Sequence, residues 1–412
     1  MAQKYLLVLG CGMQGKAALD DLFHFVDNAP IVVVDTQPDL ETYLERYPGD
    51  RITVRKMDIT HREKIIEIMS SASVIVEALP PQFALQTAKW AAETGVSLVS
   101  SMYFVNPAES DPDVIQKNKD ELVYIDKAAK ERGIVILPEF GLDPGIDLVL
   151  GAKALSEFDK VHTFNSYGTG VPVPQDALNP LKYKFSWSVL GVLRATKRPA
   201  KIIHKGKVID VPGTDIFKPE NVHLIESDDF GGDLECFPNG NSAHYLDVFH
   251  LRNHVQEMGR YACRYPGHSA FWDRMVNSGF LNEYAVPVGD KEVVPIEFTA
   301  SLLSGQEQFQ FGPKESDMTI VRADVAGWSD GQPKKVSYEM VDRRDMKSGF
   351  TAMQRTVGYT MGLGARLILN GKLNRSGLIS PMDVNYEMLT EGLSPYHFQF
   401  RRIESQWKEE PV

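Results

Sequence analysis

Cysteines are scarce in this sequence, and their spacing forms no known motif. The 412 residues include three of them, Cys11, Cys236 and Cys263, and no two form a C-x-x-C pair. Neither a zinc site nor a disulfide framework is therefore indicated, and no metal is expected. Runs of about 18 consecutive apolar residues, the length that spans a bilayer, are also absent. No membrane-spanning helix is expected.

Basic tracts and low-complexity segments are missing as well. The formal net charge is -11, whereas nucleic-acid binding needs a basic face. We therefore expect a small-molecule partner, with no nucleic-acid or membrane partner. The chain enters an apolar run without the basic and apolar segments of a secretory signal, so a cytoplasmic location is expected.

The first apolar run, Tyr5–Leu9, leads into a turn with the pattern Gly-x-Gly-x-x-Gly. This predicts a buried parallel strand that turns sharply into a helix. In a dinucleotide site Gly10 allows the tight turn, Gly12 lets backbone N–H groups approach the pyrophosphate, and Gly15 allows the helix to cross the strand closely. Ordinary strand-to-helix turns also carry this spacing. The cofactor-binding residues expected here are Gly10, Gly12, Met13, Gln14 and Gly15.

Asp35 strengthens this interpretation. It ends the second apolar run, Ile31–Val34, and lies twenty residues after Gly15. At this spacing a carboxylate accepts hydrogen bonds from the adenosine ribose hydroxyls. The same charge repels the 2′-phosphate of NADP, and no arginine follows immediately. NAD is therefore expected to be preferred over NADP.

Two later strand ends are expected to add cofactor contacts. Asp58 follows the short strand Ile52–Val54, and it either hydrogen-bonds the adenine amine or caps a helix or turn. Leu79 and Pro80 follow the strand that begins at Val74. In a doubly wound sheet the loop after this strand borders the ligand crevice.

The order of predicted elements divides the chain into two domains. Strands and helices alternate up to residue 137, which predicts an α/β fold: a Rossmann doubly wound parallel sheet of roughly six strands over residues 1–140. Strands such as Val161–Tyr167 and Ile202–Val211, and a hairpin at 319–328 and 335–341, then predict an α+β domain with a mostly antiparallel sheet. This substrate and dimerisation domain is expected over 141–348. A C-terminal segment, 349–392, begins with a helix from Gly349 to Leu369 and is predicted to pack back on the first domain.

Two segments of the sequence resemble the saccharopine dehydrogenase family. They run from Glu139 to Asp147 (EFGLDPGID) and from Asn179 to Ser188 (NPLKYKFSWS). Two others, 264–268 (RYPGH) and 351–360, resemble the related lysine 6-dehydrogenases. The resemblance implies that hydride is removed from a carbon bearing an amine, which gives reduced nucleotide and an imine that water hydrolyses.

The chain departs from the saccharopine-specific pattern at two positions. Saccharopine carries three carboxylates, and arginine pairs with carboxylates in a bidentate geometry. The resemblance implies an arginine near the end of the K-F-S-W-S segment and another in a P-N-R-D-S segment. Here the first stretch has Leu190 and the second has Gly240. Two expected carboxylate-binding groups are therefore missing.

Four side chains are candidates for the proton transfers of this chemistry: Tyr103, Asp126, Asp143 and His268. Tyr103 follows a strand whose end should face the nicotinamide, although a packed aromatic fits equally. Asp143 either faces the substrate amine or shapes the bend at the following Pro-Gly. Asp126 has Lys130 four residues later, the spacing of a surface ion pair. His268 fits either acid–base catalysis or a turn.

Basic residues and one hydroxyl are candidates for binding the substrate. The expected carboxylate-binding residues are Lys182, Lys184, Arg194 and Arg264, although basic residues beside aromatics often lie with their stems along a surface. Thr169 follows the strand Val161–Tyr167 and is expected to contact the substrate.

Three hypotheses for function follow. The first is an NAD-dependent oxidoreductase of lysine metabolism that acts on a CH–NH group, of the glutamate-forming saccharopine dehydrogenase type. The second is a lysine 6-dehydrogenase, which deaminates the terminal amine oxidatively. The third is a non-catalytic NAD-binding sensor or scaffold. In each case a homodimer is expected, because exposed antiparallel sheets often pair across a two-fold axis.

Overall fold

The structure is a computed structural model that describes residues 4–107, 109, 111–186, 188–252 and 254–407. It contains two compact units. Unit 1 comprises the chain up to Val149 together with Gln354–Phe398, and unit 2 comprises Leu150–Met353 together with the chain from Gln399 onward.

Helices and strands are numbered here in chain order. The first group is β1 (Tyr5–Leu9), α1 (Met13–Phe25), β2 (Ile31–Asp35), α2 (Leu40–Leu44), β3 (Ile52–Lys56), α3 (Arg62–Ser70), β4 (Ala72–Glu77), α4 (Ala84–Thr94), β5 (Ser97–Ser100), α5 (Pro112–Arg132) and β6 (Val135–Leu137). The second group is α6 (Ile146–Leu155), β7 (Lys160–Pro172), α7 (Val189–Thr196), β8 (Ala200–His204), β9 (Lys207–Val211), β10 (His223–Ser227), β11 (Gly232–Pro238), α8 (Ser242–Val248), β12 (Glu257–Arg264), α9 (His268–Asn277), β13 (Val286–Val288), β14 (Lys291–Val293), α10 (Pro295–Ser304), β15 (Asp317–Ser329) and β16 (Gln332–Arg343). The last group is α11 (Ala352–Leu369), β17 (Gly377–Leu378), α12 (Tyr386–Leu393) and β18 (Gln399–Ser405).

Unit 1 contains a parallel sheet of seven strands in the order β17-β6-β5-β4-β1-β2-β3. Its central strands are buried on both faces, which explains their uninterrupted apolar runs. The predicted Rossmann-type sheet is confirmed. The edge strand β17 comes from the C-terminal segment and was not predicted, because two residues carry no periodic pattern.

The C-terminal segment of unit 1 is tied to α1 by a buried ion pair. Arg366 Nε and Nη2 donate to the Asp21 carboxylate at 2.9 and 3.0 Å, and the Tyr396 hydroxyl donates to the same carboxylate at 2.6 Å. The Asp21 side chain is fully buried. This segment therefore belongs to the core of unit 1.

Unit 2 is built on a mixed sheet, in which β7 pairs with β12 in parallel and the other pairs are antiparallel. Three long strands, β7, β15 and β16, form its middle. The predicted second domain with a mostly antiparallel sheet is confirmed. The hairpin of β15 and β16 is also confirmed, because Asp330 and Gly331 supply the two positive φ angles that its tight turn requires.

One predicted strand of unit 2 is wrong. The sequence 202–211 was expected as a single strand, but it folds into the hairpin of β8 and β9. Lys205 and Gly206 have φ angles of 50° and 72° and form the turn. Gly206 was the only sequence signal for this turn, since Lys is uncommon at positive φ.

The expectation that no disulfide is present is also wrong. Cys236 on β11 and Cys263 on β12 lie directly opposite each other in the sheet register and are bonded. Both are buried, whereas Cys11 is a free buried thiol. Along the described part of the chain, no helix has both the length and the apolar character needed to cross a bilayer.

Candidate functional site

The glycine turn of unit 1 is shaped by backbone packing. Gly10 has a φ of 85°, and a Cβ added to it would lie 2.6 Å from the Ala78 carbonyl oxygen. A Cβ at Gly15 would collide with the Gly10 carbonyl oxygen. At Gly12 an added Cβ would meet nothing within 4 Å. Gly10 and Gly15 are thus required by the turn itself, whereas Gly12 leaves an open approach to the backbone.

The start of α1 faces this open approach with backbone N–H groups that have no acceptor within the helix itself. Gly12 is the N-cap residue and offers no side-chain acceptor, and the first turn of α1 carries no acidic residue. The N–H groups at Met13 and Gln14 therefore lie at the positive end of a 13-residue helix. Such a helix start fits the pyrophosphate of a dinucleotide.

Asp35 lies beside the glycine turn, at the end of β2. Its Oδ2 atom accepts a hydrogen bond from the Cys11 N–H at 2.5 Å, and its Oδ1 atom accepts one from the Gln37 N–H at 2.7 Å. These bonds fix the carboxylate where the ribose of a dinucleotide is expected.

Asp58 makes local contacts. Its Oδ1 atom accepts hydrogen bonds from the N–H and hydroxyl of Thr60 at 2.8 and 2.7 Å, which lower the pKa of this exposed carboxyl. This geometry corresponds to the turn role that the sequence left open.

The loop after β4 contains Leu79 and Pro80. It is held in place by Glu77, a residue that the sequence analysis did not single out. The Glu77 side chain is fully buried, and it accepts hydrogen bonds from the Leu79 N–H at 2.9 Å and the Ser100 hydroxyl at 2.5 Å. Burial raises the pKa of Glu77 to about 7. The sequence did offer a signal for this residue, because Glu77 is a charged residue at the end of an apolar strand.

Ser101, in the loop after β5, was also missed. Its hydroxyl is buried and has no hydrogen-bond partner in the described part of the chain. An unsatisfied buried hydroxyl at the carboxyl edge of a nucleotide-binding sheet fits a site that a ligand completes.

The segment 139–147 forms a compact loop next to these residues. The Glu139 N–H donates to the Met102 carbonyl at 3.2 Å, and the Phe140 N–H donates to the Ser100 carbonyl at 2.9 Å. Asp143 is half-buried and precedes a cis peptide bond. Asp147 is buried at the start of α6, accepts a hydrogen bond from the Gly145 N–H at 2.7 Å, and has its pKa raised to about 7 by burial.

Two proton-transfer candidates of unit 1 follow strands at this edge, and a third does not. Tyr103 follows β5 and Asp143 follows β6. Asp126 lies on α5, where its carboxylate pairs with Lys130 at 2.7 Å and accepts from the Leu378 N–H at 3.0 Å. These contacts join α5 to β17.

In unit 2 the structure brings together two substrate-binding candidates, Thr169 and Arg264. The Cys263 carbonyl accepts hydrogen bonds from the Thr169 hydroxyl at 2.5 Å and from Arg264 Nη1 at 2.8 Å. The Arg264 guanidinium also lies over the Tyr183 ring, 5.0 Å from its centre. Within the described residues, no carboxylate forms an ion pair with Arg264.

Two of the other cations have carboxylate partners. Lys184 is buried and contacts both Glu315 carboxylate oxygens at 2.8 Å. Arg194 donates to Glu283 at 3.0 Å. Lys182 is exposed and has a φ of 47°. Of these three residues, two have charges that are already compensated.

His268 lies at the start of α9 within a cluster of aromatic rings. Its ring stacks on Phe237 with an interplanar angle of 6° and approaches Tyr183, Phe217 and Trp272. Burial and the nearby Arg264 charge lower its pKa well below the usual value. The imidazole is therefore neutral near pH 7 and is not a ready proton donor.

Two protein-family models together match most of the chain. Residues 141–396 match the model described as the saccharopine dehydrogenase C-terminal domain, and residues 6–137 match the saccharopine dehydrogenase NADP binding domain. The chain belongs to the saccharopine dehydrogenase family. It is therefore an oxidoreductase of this family with a domain that binds a pyridine nucleotide. The two sequence segments that resemble the family had indicated this.

Other members of the saccharopine dehydrogenase family resemble the chain at low identity. Saccharopine dehydrogenase [NADP(+), L-glutamate-forming] of Saccharomyces cerevisiae is 25% identical, covering 92% of this chain and 94% of that protein. The same-named protein of Pyricularia oryzae is 30% identical over 72% of this chain and 62% of its own length. The mitochondrial alpha-aminoadipic semialdehyde synthase of Bos taurus is 24% identical, and the chain spans 45% of its length.

Solved structures share the fold. Apo saccharopine dehydrogenase (L-Glu forming) from Saccharomyces cerevisiae superposes with a TM-score of 0.82 at 22% identity, covering 98% of this chain and 100% of that one. A homospermidine synthase from Legionella pneumophila in complex with NAD has a TM-score of 0.66 at 11% identity, covering 100% and 94% of the two chains.

Proposed function

We propose that the chain is an NAD-dependent dehydrogenase that oxidises a CH–NH group of a lysine-pathway amino acid, of the glutamate-forming saccharopine dehydrogenase type. The proposed substrate class rests on the environment of Arg264. It is the half-buried member of the four predicted carboxylate-binding cations, and no carboxylate neutralises it in the described part of the chain. A guanidinium with unused donors is suited to bind an amino-acid carboxylate.

The nucleotide supplies the hydride acceptor, and the chain supplies binding and proton transfer. Thr169 shares the Cys263 carbonyl with Arg264 and would orient the same substrate group. Tyr103 and Asp143 remain the proposed proton-transfer residues, because both follow strands at the carboxyl edge of the first sheet. Asp126 and His268 are not included in this proposal, because Asp126 pairs with Lys130 and Leu378 and the ring of His268 packs on Phe237.

The proposed preference for NAD rests on Asp35. A fixed carboxylate beside the glycine turn attracts ribose hydroxyls and repels a 2′-phosphate. The family model and the yeast relative are both named for NADP, so the preference would distinguish this chain from them. Titration of the reduced nucleotides, followed by fluorescence, tests it: tighter binding of NADPH than NADH would overturn the preference.

Oxidative deamination of lysine at its terminal amine is the second candidate. Lysine has one carboxylate, and Arg264 would suffice to bind it, whereas Lys184 and Arg194 are paired with Glu315 and Glu283. Reduction of NAD by the purified protein, assayed with saccharopine and with lysine, separates the two. Turnover of saccharopine alone supports the first proposal, and turnover of lysine alone supports the second. Nucleotide binding without turnover of either would point to a sensor or scaffold.

A further inference from the structure

Glu77 is an unusual residue for its place in the fold. It ends β4, a central strand of the first sheet whose preceding residues are Ala-Ser-Val-Ile-Val. Its side chain is fully buried. A buried carboxyl group is costly unless its partners compensate it, and a leucine or methionine of similar size would pack there without that cost. Such a departure from local rules often marks a functional position.

The partners of Glu77 are uncharged and lie in two different loops. Oε1 accepts from the Leu79 N–H in the loop after β4, and Oε2 accepts from the hydroxyl of Ser100 at the end of β5. Both partners are neutral, and no ion pair involves Glu77 in the ranges that the structure describes. The carboxyl group therefore acts as a bridge between two strand ends.

The bridge extends to the glycine turn on one side. The Ala78 carbonyl oxygen lies 2.6 Å from the position that a Cβ of Gly10 would take, and the Leu79 side chain lies 3.2 Å from the same position. The Ala78 N–H donates to the Leu9 carbonyl at 2.8 Å. A shift of Leu79 would thus move the wall of the turn that the nucleotide pyrophosphate is proposed to occupy.

On the other side the bridge extends to the loop after β5. The Ser100 hydroxyl accepts from the Met102 N–H at 3.0 Å. The Ser100 and Met102 carbonyls in turn accept from the Phe140 and Glu139 N–H groups. One buried carboxyl group thereby connects the loops after β4, β5 and β6, which also carry Tyr103 and Asp143.

We propose that Glu77 is a positioning residue of the nucleotide site, which holds the loops after β4 and β5 in the arrangement that binds the cofactor. It acts through Leu79 and Ser100 and does not itself take part in hydride transfer. This inference rests on the proposed function, because it concerns the affinity of the same nucleotide site.

The experiment compares the unmodified protein with E77M, E77Q and the control S97A. Ser97 is buried in the same strand as Ser100, but its hydroxyl accepts from Val135 at 3.1 Å, toward the amino end of the sheet. E77M keeps the volume and removes both acceptors, whereas E77Q keeps one acceptor for the Leu79 N–H. The readouts are the dissociation constants of NADH and NADPH, measured by fluorescence without substrate, and the midpoint of thermal unfolding.

The expected result separates binding from stability. E77M should raise the dissociation constant of the preferred nucleotide about tenfold, because about 1.4 kcal/mol of the binding free energy is then used to restore the loop arrangement. The unfolding midpoint should stay close to that of the unmodified protein, because removal of the buried carboxyl group offsets the two donors left without an acceptor. E77Q should recover most of the affinity. S97A should lower the midpoint and leave the affinity unchanged. A purely structural Glu77 would produce the pattern of S97A.

Two outcomes would overturn the inference, and they are distinguishable. If the unmodified chain binds neither nucleotide, the proposed function fails and the role of Glu77 fails with it. If the unmodified chain binds nucleotide and E77M binds it equally well, the role of Glu77 alone is wrong.

Discussion

Thr169 and Arg264 share one acceptor, the Cys263 carbonyl oxygen, although 94 residues separate Thr169 from Cys263 in the sequence. The pairing arises because β7 and β12 are parallel neighbours in the second sheet. It orients a guanidinium and a hydroxyl side by side, and Arg264 is half-buried above the Tyr183 ring. Substrate recognition is expected to depend on this pair.

Substitution of Arg264 should affect the amino-acid substrate and not the nucleotide. R264M is expected to raise KM about 10- to 100-fold, because a charge-assisted hydrogen bond to a carboxylate is lost, while the nucleotide dissociation constant stays the same. Steady-state kinetics and nucleotide fluorescence measure the two effects. R252M is a suitable control, since Arg252 forms an exposed pair with Asp247. Equal KM values in the two variants would contradict a substrate role.

Removal of the disulfide should destabilise unit 2. Cys236 and Cys263 are 27 residues apart, and closing a loop of that length stabilises the folded state by about 3 to 4 kcal/mol. C236S is therefore expected to unfold at lower urea concentration, and a reductant should lower the midpoint of the unmodified protein in the same way. The reductant should have no effect on C236S. Titration of three free thiols in the denatured, unreduced protein would show that the bond is absent.

Asp35 should govern the choice between nucleotides. D35S removes the charge that repels a 2′-phosphate, so NADH should bind about tenfold more weakly and NADPH more tightly. Fluorescence titrations of both reduced nucleotides measure the ratio. D50S, in an exposed turn before β3, should leave both affinities unchanged. An unaltered ratio in D35S would mean that discrimination lies elsewhere.

The buried ion pair of unit 1 should be costly to break. R366M leaves the fully buried Asp21 carboxylate without its cation, and removal of one partner from such a pair costs about 3 to 5 kcal/mol. Urea unfolding is the measurement, and D21N/R366M should recover part of the loss. The control R375M breaks an exposed pair with Asp383 and should cost less than about 1 kcal/mol. Similar losses for R366M and R375M would argue against a special role of burial.

Stability should fall as pH rises through neutrality, partly because of Glu77. Burial raises the pKa of Glu77 from 4.5 to about 7 in the folded protein, so the folded state holds a proton that the unfolded state has released between these values. The stabilisation is complete below pH 4.5 and is lost as pH rises through 7. Between about pH 5 and about pH 8, Glu77 should contribute on the order of 2 kcal/mol to the fall in the free energy of unfolding measured with urea, and Asp147, whose pKa burial also raises to about 7, should add to it in the same direction. E77Q should show a smaller difference, and an identical slope in both proteins would contradict this account.

The sequence was most informative where local patterns determine the structure. The apolar runs and the glycine turn predicted the first sheet, and together with Asp35 they led to the proposed nucleotide site, since parallel strands and tight turns have short-range signatures. The Asp330-Gly331 turn did the same for the hairpin of β15 and β16. Long-range pairings left no such signature. Lys184 is compensated by Glu315, 131 residues away, and Cys236 faces Cys263 only through the register of β11 and β12.

Glu77 combines a local pattern with a long-range pairing. The apolar strand that contains it was predicted, but the role of the carboxyl group depends on Ser100, 23 residues later. Sequence spacing alone does not indicate that these two residues lie side by side, because that depends on which strand neighbours β4 in the sheet.

The chain passes from unit 1 to unit 2, returns to unit 1, and from Gln399 onward again belongs to unit 2. Strand β17 completes the edge of the first sheet and β18 that of the second, and both come from the last part of the chain. Neither sheet therefore has its full set of strands until residues 377–405 have been synthesised. Until then β6 and β16 are the outer strands on that side of their sheets, and unpaired strand edges are prone to unwanted pairing.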